Sequence, residues 1–112
     1  MPRAATTSDV FNAVAEPRRR EILDFLGPDE HCVGDIAEAL ELAQPSATKH
    51  LRVLLDVGLV HTRRDGRRTL YRTNAVALKP LYEWSGTFAR HWRGQLNRIK
   101  EHAERSSGKQ AR

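Results

Sequence analysis

The sequence predicts a mainly α domain with a small β-hairpin, in the order α-α-α-α-β-β-α. Three observations predict it. Apolar residues recur at helical spacing in short segments before Gly58 and in one long segment from Leu78. Between them lie two short, heavily charged runs joined by Asp65-Gly66, a pair that suits a tight hairpin turn. Pro17, Gly27-Pro28, Pro45 and Gly58 stand where helices would start or stop.

Residues 1–7 are expected to be disordered, 8–105 to form one domain, and 106–112 to be a disordered polar tail. Ser8 or Asp9 can cap a first helix through about Ala15, with Val10, Phe11 and Val14 on one face. Pro17 opens a second, where Ile22, Leu23, Phe25 and Leu26 face a core. Val33 to Leu40 forms a short third helix, burying Ile36, Ala37 and Leu40. A tight connection follows at Leu42-Ala43. Gln44-Pro45 then opens a fourth helix to about Val57, with Ala47, Leu51, Leu54 and Leu55 turned inward. Leu59–Arg64 and Arg67–Thr73 read as strands linked by a type I′ turn over Asp65-Gly66, with Leu59 and Leu70 facing the core. From Leu78 to Ala103 runs one long helix whose stripe is Leu78, Leu81, Trp84, Phe88, Trp92, Leu96, Ile99 and Ala103. A helix of that length is about 39 Å long, more than so small a core covers. Three helices around a tight turn, followed by a hairpin, make a winged helix-turn-helix.

Composition fits that picture. The 112 residues suit one modest domain, and 39% are hydrophobic. No stretch approaches the roughly 18 apolar residues of a membrane span. Met1–Ser8 does not read as a secretory signal, and the lone Cys32 excludes an intrachain disulfide. A cytoplasmic location, with no membrane partner, is the expectation. The net charge of +5 is gathered in one place: residues 44–72 hold seven Lys and Arg against two acids, whereas 21–43 hold seven acids and no Lys or Arg. A polyanion is drawn to the first segment and repelled by the second. Taken alone, the same charges also read as solvated surface.

The residue types in that basic segment suit double-stranded DNA. The start of the fourth helix carries Gln44, Ser46, Thr48 and Lys49, and the second helix of a helix-turn-helix enters the major groove. Gln can pair with adenine and Lys can reach guanine edges. His50 and Arg52, further along, suit phosphates. The hairpin tip reads Arg63-Arg64-Asp65-Gly66-Arg67-Arg68, four arginines on a narrow ribbon fit for the backbone or a narrow minor groove. No Gly-rich phosphate loop, nucleophile motif or paired carboxylates suggest an enzyme. A protein-interaction module of the same fold stays open as an alternative.

On these residues the sequence resembles the ArsR family of bacterial winged-helix repressors. The resemblance rests on Glu16-Pro17-Arg18-Arg19-Arg20-Glu21-Ile22-Leu23, Val33-Gly34-Asp35-Ile36-Ala37-Glu38-Ala39-Leu40, Gln44-Pro45-Ser46-Ala47-Thr48-Lys49-His50-Leu51, and Gly58-Leu59-Val60 with the arginine hairpin ending in Leu70-Tyr71-Arg72. It covers about Val10 to Ala103 and departs at Ala43, where the family usually has a capping serine. It implies a homodimer through the first and last helices, with Val10, Phe11, Val14, Leu81, Trp84, Phe88, Trp92 and Leu96 at the interface. The stripe count supports this separately, since each large apolar side chain is worth about 1.5–3 kcal/mol when buried. The same residues could instead pack within one chain. A two-fold dimer implies a palindromic operator and steric repression, including of its own promoter.

Many relatives sense metals, and the ligands for that are largely missing. One site type needs a Cys-x-Cys pair, and here the stretch is Cys32-Val33-Gly34. The four positions of the second type fall on Ala75, Ala77, Phe88 and His91, one ligand of four. The sequence therefore predicts a regulator with no metal site and no cofactor. A metal- or thiol-responsive repressor using Cys32, His31, His91 or His102 remains the competing reading.

Overall fold

The computed structural model describes residues 7–110, with side chains described over 9–105. The elements are helix α1 (Thr7–Ala15), α2 (Pro17–Leu26), strand β1 (His31–Cys32), α3 (Val33–Ala39), α4 (Gln44–Asp56), β2 (Val60–Asp65), β3 (Arg68–Thr73), a 3-10 turn (Ala75–Leu78), α5 (Lys79–Gly86) and α6 (Ala89–Gln110). Of the segment expected to be disordered at the N-terminus, residues 1–6 lie outside the described ones and Thr7 begins α1. The tail expected to be disordered is helical through Gln110, and residues 111–112 lie outside the description. The chain divides into two compact units, one ending at Pro80 and the other beginning at Leu81.

In the first unit the helix ends are closed by their own sequence. Pro17 sits in the first turn of α2, and the Glu16 side chain accepts a hydrogen bond from the Arg18 N–H at 3.0 Å. Two arginines of α2 reach back to the end of α1. Arg19 Nε donates to the Ala13 carbonyl and Arg20 Nη1 to the Val14 carbonyl, both at 2.6 Å. They satisfy carbonyls that a helix C-terminus leaves without partners, and their charge opposes its dipole. These two cations are therefore engaged in the fold.

Helices α3 and α4 end by the same device. At α4 the Leu59 N–H donates to the Leu54 carbonyl at 2.9 Å and the Gly58 N–H to Leu55 at 3.0 Å, with Gly58 at φ +82°. At α3 the Leu42 N–H donates to Ala37 at 2.9 Å and the Glu41 N–H to Glu38 at 3.3 Å, with Glu41 at φ +54°. Both are Schellman closures, which need a left-handed residue just past the helix. Gly27 likewise takes φ +50° after α2, its N–H donating to Leu23.

The core of this unit joins α2, α3, α4 and the sheet. Ile22, Leu26, Ile36, Ala47, Leu51, Leu54 and Leu59 are fully buried, and Leu70 nearly so. Leu55, expected to point inward, is 41% exposed, and Leu40 and Phe25 are half-buried. Leu55 lies one helical step beyond Leu54, at the rim of the buried face.

The sheet has three strands in the order β1-β3-β2, all antiparallel. The two-residue β1 was not apparent in the sequence; it pairs His31 with Tyr71 and Cys32 with Leu70. The hairpin register pairs Asp65 with Arg68, so the loop is Gly66-Arg67 rather than Asp65-Gly66. Only Gly66 has a positive φ (+64°), which rules out type I′ and matches the type II′ requirement for glycine first. Thr73 Oγ1 donates to the Leu23 carbonyl at 3.2 Å, and Asn74 Nδ2 to Gly58 at 2.9 Å, tying the end of β3 to the helices.

In the second unit the single helix expected from Leu78 to Ala103 is interrupted. The Thr87 and Phe88 N–H groups donate to carbonyls three residues back, Trp84 and Ser85, at 3.1 and 3.0 Å. The hydroxyls of Ser85 and Thr87 also bond carbonyls three residues back, those of Tyr82 and Trp84, at 3.0 and 2.7 Å. A glycine flanked by two hydroxyl side chains that compete for the backbone breaks the four-residue ladder. Trp84 and Phe88 meet edge to face across this break, ring centroids 5.5 Å apart.

Candidate nucleic-acid interface

Helix α4 separates its residues cleanly by face. Ala47, Leu51 and Leu54 are buried, while Gln44, Ser46, Thr48, Lys49 and Arg52 are exposed and His50 is half-buried. All six residues expected to read DNA thus lie off the fully buried face. The helix starts at Ala43 with extended backbone and no side-chain cap. Pro45 in the first turn costs no hydrogen bond there. The remaining N–H groups of that turn lie beside Gln44 and Ser46, at the positive end of the helix dipole.

The hairpin follows directly on α4, and Arg63, Arg64, Arg67 and Arg68 are all exposed. Helix and hairpin share a groove of about 280 Å³ lined by Thr48, Arg52, Leu55, Asp56 and Tyr71. The exposed Leu55 is thereby accounted for: it faces this groove beside Tyr71 of β3.

The four arginines differ in what they touch. Arg63 forms a double hydrogen bond with Glu30, Nε to Oε2 at 3.0 Å and Nη2 to Oε1 at 2.8 Å. Those bonds hold the Glu30 carboxyl below its ordinary pKa range against desolvation, and the charges of Arg63 and Arg72 act in the same direction. Arg64 Nη1 donates to Thr69 Oγ1 at 2.9 Å, its neighbour across the ladder. Arg68 approaches Asp65 at 3.4 Å. Arg67, in the turn itself, has no side-chain hydrogen bond or ion pair among the described residues. Sequence reasoning missed Glu30, which lies 33 residues from its partner and in no motif.

The residues expected at a dimer interface fall in both units. In the first, Val10 is 5% exposed in the single chain, so Phe11 and Val14, both half-buried, are the ones left with surface to present. In the second, Trp84, Phe88, Trp92, Leu96 and also Ile99 are exposed, and Leu81 is half-buried. As for candidate ligands, the His31 ring lies tilted against Phe25 with centroids 4.5 Å apart, and Cys32 is half-buried on β1. Among the described residues no three His, Cys, Asp or Glu side chains gather as a metal site would require. No helix among them is long and apolar enough to cross a membrane.

Comparison with known proteins agrees with this architecture. Residues 16–62 match the family described as bacterial regulatory protein, arsR family. The transcriptional repressor SdpR of Bacillus subtilis is 33% identical over 81 residues, covering 72% of this chain and 90% of that protein. The structure of an ArsR-like transcriptional regulator from Rhodococcus sp. RHA1 superposes with a TM-score of 0.65 at 28% identity, covering 85% of this chain and 90% of that one. The homodimeric winged helix-turn-helix DNA-binding domain of a possible ArsR-family regulator from Mycobacterium bovis gives a TM-score of 0.61 at 34% identity, covering 74% and 77%. With its three helices, turn and arginine hairpin, the chain belongs to the arsR family of bacterial regulatory proteins and has the winged helix-turn-helix fold.

Proposed function

We propose that this DNA-binding regulator acts as a homodimeric repressor, in the cytoplasm, at a palindromic operator and without a metal inducer. One observation carries the reading. The polar face of α4 and the arginine hairpin are both exposed and border a common groove, while the opposite face of α4 closes the core. Gln44 and Lys49 read base edges in the major groove; Ser46, Thr48, His50 and Arg52 secure the backbone beside it. Arg64, Arg67 and Arg68 hold the flanking backbone or minor groove.

The second copy supplies the symmetric half. Trp84, Phe88, Trp92 and Leu96 expose apolar surface that a two-fold partner would cover, as Phe11 and Val14 do on α1. Two reading helices then address half-sites about 34 Å apart. Absence of a metal inducer is supported by chemistry: a single thiol at Cys32, and Ala75, Ala77 and Phe88 where relatives of the metal-sensing kind carry ligands.

Gel-shift titration on the region upstream of the chain's own gene tests the proposal. Binding should weaken steeply with added salt, because each neutralised phosphate releases counterions. A salt-independent affinity, or none, would reject the DNA-binding role. Release of the complex by zinc, nickel or arsenite, abolished in Cys32→Ser or His91→Ala, would reject the metal-free part alone.

A further inference from the structure

Glu30 belongs to no functional motif, yet it is the acid that reaches the hairpin. It directly precedes β1, whose pairing of His31 with Tyr71 and Cys32 with Leu70 lays that stretch along β3. Arg63 pairs with the same Leu70 from the other side of β3. Directly paired residues of a ladder share a face, so Cys32, Leu70 and Arg63 project the same way. The two-residue strand thus delivers Glu30 to the guanidinium. Both carboxylate oxygens are engaged, by Nε and Nη2 at 3.0 and 2.8 Å. Such a double bond fixes orientation as well as distance. Arg72, two residues beyond Leu70, adds a second positive charge that favours the ionised carboxylate.

From this geometry we infer that Glu30 is a positioning residue that withholds Arg63 from DNA and anchors the middle of the wing to the body of the domain. The inference rests on the reading of the hairpin as a phosphate-contacting element. It divides the four arginines by function. Arg63 fastens the ribbon, and Arg64, Arg67 and Arg68, nearer the tip, meet the nucleic acid. Their partners are weaker competitors for a phosphate: a neutral hydroxyl for Arg64, a single 3.4 Å contact for Arg68, and none for Arg67 among the described residues.

The slope of log affinity against log salt on a random-sequence duplex separates these roles, since each phosphate contact contributes about 0.9 to it. Arg67→Ala should make the slope shallower by about that amount, and Arg63→Ala should leave it unchanged. Glu30→Gln should make it steeper by about 0.9, because the freed guanidinium acquires a phosphate. Adding Arg63→Ala to Glu30→Gln should restore the wild-type slope. A merely structural Glu30 would lower affinity without moving the slope, so an unmoved slope in Glu30→Gln overturns the inference. So does an Arg63→Ala slope that falls as far as that of Arg67→Ala. The two ends of the pair are altered separately, and a variant that loses its fold leaves the other to decide. If wild-type protein shows no salt-dependent affinity, the DNA-binding reading itself fails; if it does and Arg63 and Arg67 behave alike, only the assignment of Glu30 fails.

Discussion

Glu41 adopts φ +54°, and among the described residues it is the only non-glycine with a left-handed backbone. It holds in the α3 closure the position that Gly58 holds in the α4 closure. A side chain in that conformation costs about 1–2 kcal/mol, whereas glycine gives back about 0.4–1 kcal/mol through the freer unfolded chain. Strain relief is the larger effect, so Glu41→Gly should stabilise the domain by about 0.5–1 kcal/mol, read from urea unfolding midpoints. Two residues on, Ala43 has the extended backbone of a cap and no side chain to use it. Ala43→Ser should add about 1 kcal/mol in the same assay, as its hydroxyl can accept from the Ser46 N–H. Both weak points lie just before the start of α4, and neither change removes a group proposed to contact DNA.

Among the elements, α4 and the hairpin should fail differently when altered. Gln44→Ala or Lys49→Ala should relax base preference at about 1–3 kcal/mol per lost bidentate contact while leaving affinity for random DNA nearly intact. Arg67→Ala with Arg68→Ala should weaken every sequence alike and flatten the salt dependence. Competition gel shifts with specific and random duplexes distinguish the two patterns, and identical behaviour would refute the division of labour. The sequence announced α4 well, because Ala47, Leu51 and Leu54 repeat at the period of a helix and Gly58 supplies its stop. It announced neither β1 nor the Glu30–Arg63 pair, since both depend on partners about 33 to 40 residues away and local periodicity carries no record of them. The expectation of one continuous last helix rests on its apolar stripe alone, and a stripe reports which face is apolar and not whether the backbone is continuous; Ser85-Gly86-Thr87 is the local signal that expectation leaves out. The turn was misplaced by one residue for a similar reason: Asp-Gly and Gly-Arg both supply a left-handed glycine, and only the ladder register decides between them.

For the whole molecule, the proposed association can be tested by a single change. Trp92 is 50% exposed in the lone chain, and a two-fold interface would bury two copies of it. Trp92→Ala should therefore cost about 3–6 kcal/mol of dimerisation, at least a hundredfold in Kd, measured by sedimentation equilibrium. Helical content should persist in circular dichroism, and an unchanged dimer would remove Trp92 from the interface. Specific DNA affinity should fall with the dimer, because two half-sites are then no longer engaged together. The joint between α4 and β2 has a consequence for engineering. Leu54 and Leu59 are both fully buried and are linked by the bond that closes the helix, so α4 and the ribbon share one stiff corner. One extra residue at that corner would exchange the strand's two sides and aim its arginines elsewhere. Transplanting a new operator preference into this scaffold would thus require moving residues 43–73 as a single cassette, because a helix swapped without its corner and ribbon would arrive out of phase with the duplex.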